Sequence, residues 1–349
     1  MAKLLKSKEF WGTIIAVILL GYCFKGFSWT DMKTLCARVS YTYIIPVVFL
    51  EFAMVISRAL RWGTIIEKTK KLSVYRLSTL FAAGQVINIV MPALTGMVGR
   101  IWLFSKKTDL KKSYIFSTVV IEVLFDAICT VLLIVILSMA FVFPEEYRSV
   151  SYIIAIATVA TLILLYLILT LKDRIGNFGR KHIRSRWPGA YITLKKFANS
   201  FTQGIELLKS VKYFSRTMFL TMFSWVAHIY IAYFLFKAFG FELPLILAVV
   251  IMVINSLALM IPITPGNAGT FELAVMATLT AFHIAKSDAV LFALALHILD
   301  LIPIVVMGSL FLRTEHLTLK QIKEEGEKDE IIEENDDGDL PVMEMEKEK

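Results

Sequence analysis

Six ionisable side chains fall inside long apolar runs: Glu51, Glu122, Asp126, His228, His297 and Asp300. Charges at membrane depth are expensive and usually face a partner or a watery cavity, so these residues are where chemistry would be done. Glu122 and Asp126 are four residues apart, and His297 and Asp300 are three apart, so each pair shares a helical face. Two carboxylates that close repel when both are ionised. One would then hold a proton or meet a cation, which makes Glu122 with Asp126 the stronger coupling candidate. His297 with Asp300 could relay a proton, or could simply be a hydrogen bond between helices. His228 lies among aromatics and reads as a packing residue. Arg58 and Arg61, at the basic end of an apolar run, join the intramembrane charge set. Arg100 could hold a phosphate or pair with one of these carboxylates.

Two stretches must position such groups. The first, NSLALMIPITPGNAGTFE from Asn255 to Glu272, is apolar around it yet built to break a helix. Pro262, Pro265, Gly266 and Gly269 crowd together, with Thr264 and Asn267 among them. Open backbone at membrane depth is tolerated only where protein covers it or it lines a cavity. The stretch is therefore expected to be the tip of a re-entrant hairpin over residues 245–284. Glu272 either favours the start of the second half-helix through its dipole or helps bind something polar. A second break follows Asn88, at Pro92, Gly96 and Gly99, just before Arg100. Basic flanks on both sides suggest a hairpin over residues 77–104; the alternative is two short spans with a tight turn. The two tips together supply the candidate substrate-binding set: Asn88, Pro92, Gly96, Arg100, Asn255, Pro262, Thr264, Pro265, Gly266, Asn267, Gly269 and Glu272.

The composition, 57% hydrophobic with a mean hydropathy of +0.68, fits an all-α polytopic membrane protein and sets sheet-based classes aside. Six full spans are expected, at about 10–24, 41–60, 113–143, 150–171, 218–239 and 288–312, besides the two hairpins. The loop 172–216 carries eleven basic residues against Asp173 and Glu206, the strongest orientation signal in the chain. It places both termini in the cytoplasm of a cell membrane, with the loop against anionic inner-leaflet lipids. An amphipathic helix is expected within this loop, in YITLKKFANSFTQGIELLKSV. The net charge of +8 divides into −8 for Thr318–Lys349, with 13 acidic and 5 basic residues, and +16 for the rest. The chain thus divides into a membrane domain, 1–313, and an acidic tail, 314–349, expected to be disordered.

Cys23, Cys36 and Cys129 show no paired spacing, so neither a disulfide framework nor a metal site is expected. No P-loop, G-x-S-x-G, H-E-x-x-H or dinucleotide glycine pattern occurs. The expectation is no cofactor, no enzymatic activity and no nucleic-acid partner. A homo-oligomer is compatible with the sequence but not required by it.

Span two, the first hairpin and span three run opposite to span five, the second hairpin and span six. Each tip proline is followed by two glycines. This is the pattern of an inverted repeat, a transporter architecture with its site at the repeat interface. The R-x-x-R-W at Arg58, Arg61 and Trp62, the N-x-x-x-P at Asn88 and Pro92 with Gly96 and Arg100, and P-x-T-P-G-x-x-G-x-x-E from Pro262 to Glu272 carry a resemblance. Over about residues 8–313 the chain resembles the flippase-like membrane domain family, also called the lysylphosphatidylglycerol synthase transmembrane region. It departs from the family pattern at Met97, where a glutamate often follows the first-tip glycine. The resemblance implies translocation of a lipid between leaflets without aminoacyl transfer, since only the acidic tail follows Leu312 here. The expected function is a translocase for a polar or anionic headgroup on a phospholipid or glycolipid. The alternative is an enzyme, or an enzyme's partner, in envelope lipid or glycolipid synthesis.

Overall fold

Apolar runs become helices wherever they are long enough to satisfy their own backbone, and the two Pro/Gly clusters become the breaks. The computed structural model describes residues 8–27, 33–34, 37–67, 69–91, 93–140, 156, 210–259, 264–322 and 324–325. Among these, nine helices follow in order: α1 Lys8–Phe24, α2 Ile44–Ile66, α3 Val74–Val90, α4 Ala93–Thr108, α5 Lys112–Ala140, α6 Val211–Ala238, α7 Leu245–Ala258, α8 Thr270–Ala281 and α9 Lys286–Thr314. Single 3-10 turns precede α2, at Tyr41–Tyr43, and α8, at Pro265–Asn267. This is the expected all-helical membrane architecture. Four helical stretches, 41–66, 114–139, 211–238 and 286–314, are long and apolar enough to cross a membrane. The first expected span is a shorter helix: the 17 residues of α1 reach about 25 Å at 1.5 Å per residue. Apart from Ile156, the fourth expected span lies outside the described residues, as do most of the loop 172–216 and its amphipathic helix. Of that loop, Lys212 and Arg216 belong to α6.

Both hairpins form. Helix α3 starts at Ser73, whose hydroxyl accepts from the Arg76 amide, and stops at Met91. Met91 precedes a proline and takes extended backbone (φ −100°, ψ 148°), as such residues do. Helix α4 then packs back on α3. Helix α7 ends at Leu259, whose amide still bonds to the Asn255 carbonyl, and α8 packs back on α7.

The core has two halves. One joins α7, α8 and the first part of α9 to Val47 and Met54 of α2, Ile134 and Leu137 late in α5, and the last part of α6. The other joins α3 and α4 to Ala59, Trp62 and Ile66 late in α2, Ile115 early in α5, and Phe311 and Leu312 at the end of α9. The two hairpins therefore insert from opposite ends of the same long helices. Their tips touch: a side chain on Gly266 would come 3.2 Å from Cγ2 of Ile89, near the end of α3.

Ion pairs gather at the open end of the first hairpin: Lys70 with Asp109 (3.1 Å), Arg216 with Glu67 (2.8 Å) and Lys107 with Glu315 (2.6 Å). This corrects the expected start of the tail at residue 314. The chain turns after Thr314 and folds back, burying Ile322 beside Gly99 and pairing Glu325 with Lys106 (2.8 Å). The tail's first acids and one isoleucine find a basic, apolar surface there, so they order. Residues 326–349 lie outside the described residues.

Helix α9 is the common spine, packed on α8 along one part and on α3 along another. Gly308 permits the second contact, because a Cβ there would sit 2.6 Å from Cγ2 of Val86 and 2.9 Å from the Ala82 carbonyl carbon. Gly308→Ala is expected to destabilise the protein by about 1–3 kcal/mol through overpacking against backbone. Gly21→Ala, in open space on α1, should not. Thermal unfolding of the purified variants in detergent checks the difference.

Candidate functional site

The second hairpin tip is braced from within. Gly269 has φ 83°, a conformation that favours glycine, and its amide donates to Oε2 of Glu272 at 2.6 Å. The other oxygen, Oε1, lies 2.7 Å from Nδ1 of His297 on α9. The His297 ring stacks on Phe271 with 4.4 Å between centroids and also meets the Gly266 carbonyl. The hydroxyls of Thr264 and Thr270 lie 3.4 Å apart across the turn. Helix α1 covers the outside, with the Ala16 carbonyl against Gly269. Glu272 is thus a helix cap and a strut to α9, and both its oxygens are engaged. Asn267, at φ 59°, makes the turn with Gly266 after Pro265.

The first tip is closed differently. Gly96 lies against Asn88, where a Cβ would come 2.9 Å from the Asn88 Cα. The Asn88 side-chain amide donates to Oε1 of Gln85 at 3.4 Å. Pro92 and Pro262 lie outside the described residues.

The structure corrects both expected acid pairings. Glu122 and Asp126 do share a face of α5, but neither leans on the other. Arg61 of α2 donates to both oxygens of Asp126, at 2.6 and 2.9 Å, and to the Thr221 hydroxyl. Arg100 of α4 donates to Oε2 of Glu122 at 2.8 Å and lies 5.1 Å from each of the Phe81 and Phe104 rings. These carboxylates are matched by guanidinium ions and need no shared proton. His297 pairs with Glu272 rather than with Asp300. Asp300, at the midpoint of α9, instead meets two residues from other helices. Nε2 of His228 on α6 is 3.5 Å from its Oδ2, with no hydrogen bond formed between them. The Glu51 carboxyl of α2 is within hydrogen-bonding reach of the Asp300 carboxyl.

Glu51 is only 1% exposed, and neither of its oxygens receives a hydrogen bond from any donor. Arg58, two turns along the same face of α2, is close enough for its charge to act on both acids. Among the described residues it forms no ion pair. Among the described residues, Oδ1 of Asn255, late in α7, is also buried without a partner, as are Nε of Arg100 and Oε1 of Glu122. The apolar runs show which residues are buried charges and leave Arg100 a carboxylate partner as one alternative, but they do not show the pairings of Arg61 with Asp126 or of His297 with Glu272.

Residues 10–308 match the family described as the Lysylphosphatidylglycerol synthase TM region. The chain belongs to that family. Among its relatives are two proteins of Methanocaldococcus jannaschii. UPF0104 membrane protein MJ1078 is 27% identical over 68% of this chain and 98% of its own length. UPF0104 membrane protein MJ1595 is 23% identical over 71% of this chain and 77% of its own length. In this lysylphosphatidylglycerol synthase TM region chain, the family match covers both hairpins and every buried charge pair described above.

Arg100 and Glu122 are 7% and 6% exposed at their side chains. Arg100→Met alone would strand a buried carboxylate and should cost roughly 3–5 kcal/mol. The double change Arg100→Met with Glu122→Leu should recover most of that loss. A double-mutant cycle of unfolding midpoints in detergent measures the coupling; equal losses from the single and double changes would show that the pair is not bonded as described.

Proposed function

We propose that this membrane protein is a lipid translocase that carries a polar or anionic headgroup between leaflets while the acyl chains stay in lipid. The observation that carries this reading is the contact of two broken hairpins, inserted from opposite ends, at Gly266 and Ile89. Opposed half-helices meeting inside a helical bundle are the arrangement in which transporters bind substrate near the midplane. Membership of the family supports a lipid-related role.

The pairings narrow the substrate contacts. Arg100 and Glu272 are occupied as struts. Among the described residues Arg58, half-buried and in no ion pair, is a cation available to a phosphate. Asn255, with a buried and unpartnered oxygen, is the polar group available to a hydroxyl or amine. The basic end, with Lys70, Lys106, Lys107 and Arg216, faces the cytoplasm by the positive-inside rule. The first hairpin then opens to the inner leaflet and the second to the outer. The sequence has no nucleotide-binding motif, so movement is passive or driven by an ion gradient.

Purified protein in liposomes with a panel of labelled phospholipids and glycolipids, quenched from outside, tests the reading. One lipid class should cross faster with wild type. Arg58→Gln should slow it by about 10- to 100-fold, the equivalent of one charge-assisted hydrogen bond of roughly 1.5–3 kcal/mol. A chain ending at Glu325 keeps the ordered start of the tail and should cross lipid at the wild-type rate. If no lipid crosses under any gradient, the translocase reading fails and a role beside a lipid-synthesising enzyme takes its place.

A further inference from the structure

The salt bridges leave one group of acids unmatched. Arg61 answers Asp126, Arg100 answers Glu122 and His297 answers Glu272. Glu51 and Asp300 face each other with no hydrogen-bond donor between them, and both Glu51 oxygens and Oδ1 of Asp300 lack a partner. Nε2 of His228, 3.5 Å from Oδ2 of Asp300, is also without a hydrogen bond. We propose that Glu51, Asp300 and His228 form a proton-binding site inside the membrane domain, loaded from one aqueous side and emptied to the other.

The geometry selects the ligand. Two carboxyl groups in hydrogen-bonding reach, without a donor between them, are completed by a single proton bound to one and accepted by the other. No cluster able to hold a metal ion occurs among the described residues. The proton count is simple. A proton taken from water forms the O–H of the Glu51–Asp300 pair, leaving one negative charge for Arg58 to balance. Releasing that proton restores the starting charges.

Among the described residues the charged groups around the site are few. Arg58 acts from α2 and His228 from α6. His297 of α9 acts on Asp300 and is itself held by Glu272 of α8. The acids of α5 are bound to arginines. The cluster joins α2, α6 and α9, and α2 and α9 run through both halves of the core. A proton there can bias how the two halves pack. Coupling of the proton to lipid movement rests on the translocase reading; binding of the proton does not.

Two measurements separate these claims. The first is infrared difference spectroscopy of the wild type, Glu51→Gln and Asp300→Asn between acid and alkaline pH, in ordinary and heavy water. The wild type should show a protonated-carboxyl band that shifts in heavy water. Either variant should lose it while retaining the wild-type elution profile in detergent. A band that survives both variants, or never appears in wild type, overturns the proposal.

The second applies a pH gradient, or a sodium gradient at constant pH, across the lipid-loaded liposomes. Lipid movement driven by the pH gradient and made insensitive to it by Glu51→Gln is expected. Movement driven by sodium instead overturns the proton assignment while leaving translocation intact. A carboxyl band with no lipid movement leaves the proton site standing and removes the translocase.

Discussion

A helix broken inside a membrane leaves backbone donors and acceptors that water cannot reach, and this constraint orders the rest of the molecule. The second tip answers it with three atoms in a row: the Gly269 amide, the Glu272 carboxylate and the His297 imidazole. The carboxylate closes the first turn of α8 and ties it to α9 at once. Helix α1 seals the outer side of the tip, and Ile89 of the first hairpin meets it from the other. Removing any of these covers would expose polar backbone to lipid, so the short α1 belongs to the tip as much as to the surface.

The same economy of partners governs the two acids of α5, Glu122 buried and Asp126 partly exposed. Asp126 and Glu122 project from one face of α5 towards two different helices, α2 and α4, each of which brings an arginine. Such pairs add little net stability, because both ions lose water on burial. Their value is directional: the two-pronged Arg61–Asp126 contact is satisfied in only one register of α2 against α5. The arginine stacked between Phe81 and Phe104 likewise links the first hairpin to α5. Fixed register at these contacts contrasts with the Glu51–Asp300 contact, which lacks a cation bridging it.

The helical architecture, the two hairpins and the family were legible from apolar run length, Pro/Gly clusters and the second-tip motif. Those signals are local, because helix formation and helix breaking depend on neighbours in the chain. Of the charge pairings, only that of Arg100 with a carboxylate was offered by the sequence, as one of two alternatives. Glu122 with Asp126 and His297 with Asp300 looked like pairs because helical spacing puts them on one face, yet each side chain reaches a different helix. Sequence spacing fixes the face but not the neighbour across it. The tail boundary failed for a related reason. An acidic composition predicts a solvated chain, but Glu315, Ile322 and Glu325 meet a basic and apolar surface that only the folded hairpin creates.

The position of Arg58 gives the unmatched acids a physical connection to an anionic headgroup. With Glu51 and Asp300 both ionised, the field of the Arg58 charge acts on both of them. With a proton on the pair, one negative charge is removed and more of that field is open to a phosphate. A headgroup that binds Arg58 must then raise the affinity of the acid pair for its proton by the same factor that the proton raises the affinity for the headgroup, since such linkage is reciprocal. No contact between lipid and acids is needed, only one guanidinium shared between them. The protein would move the two together because Glu51 and Arg58 share a face of α2 while Asp300 lies on α9, the helix that both hairpins grip.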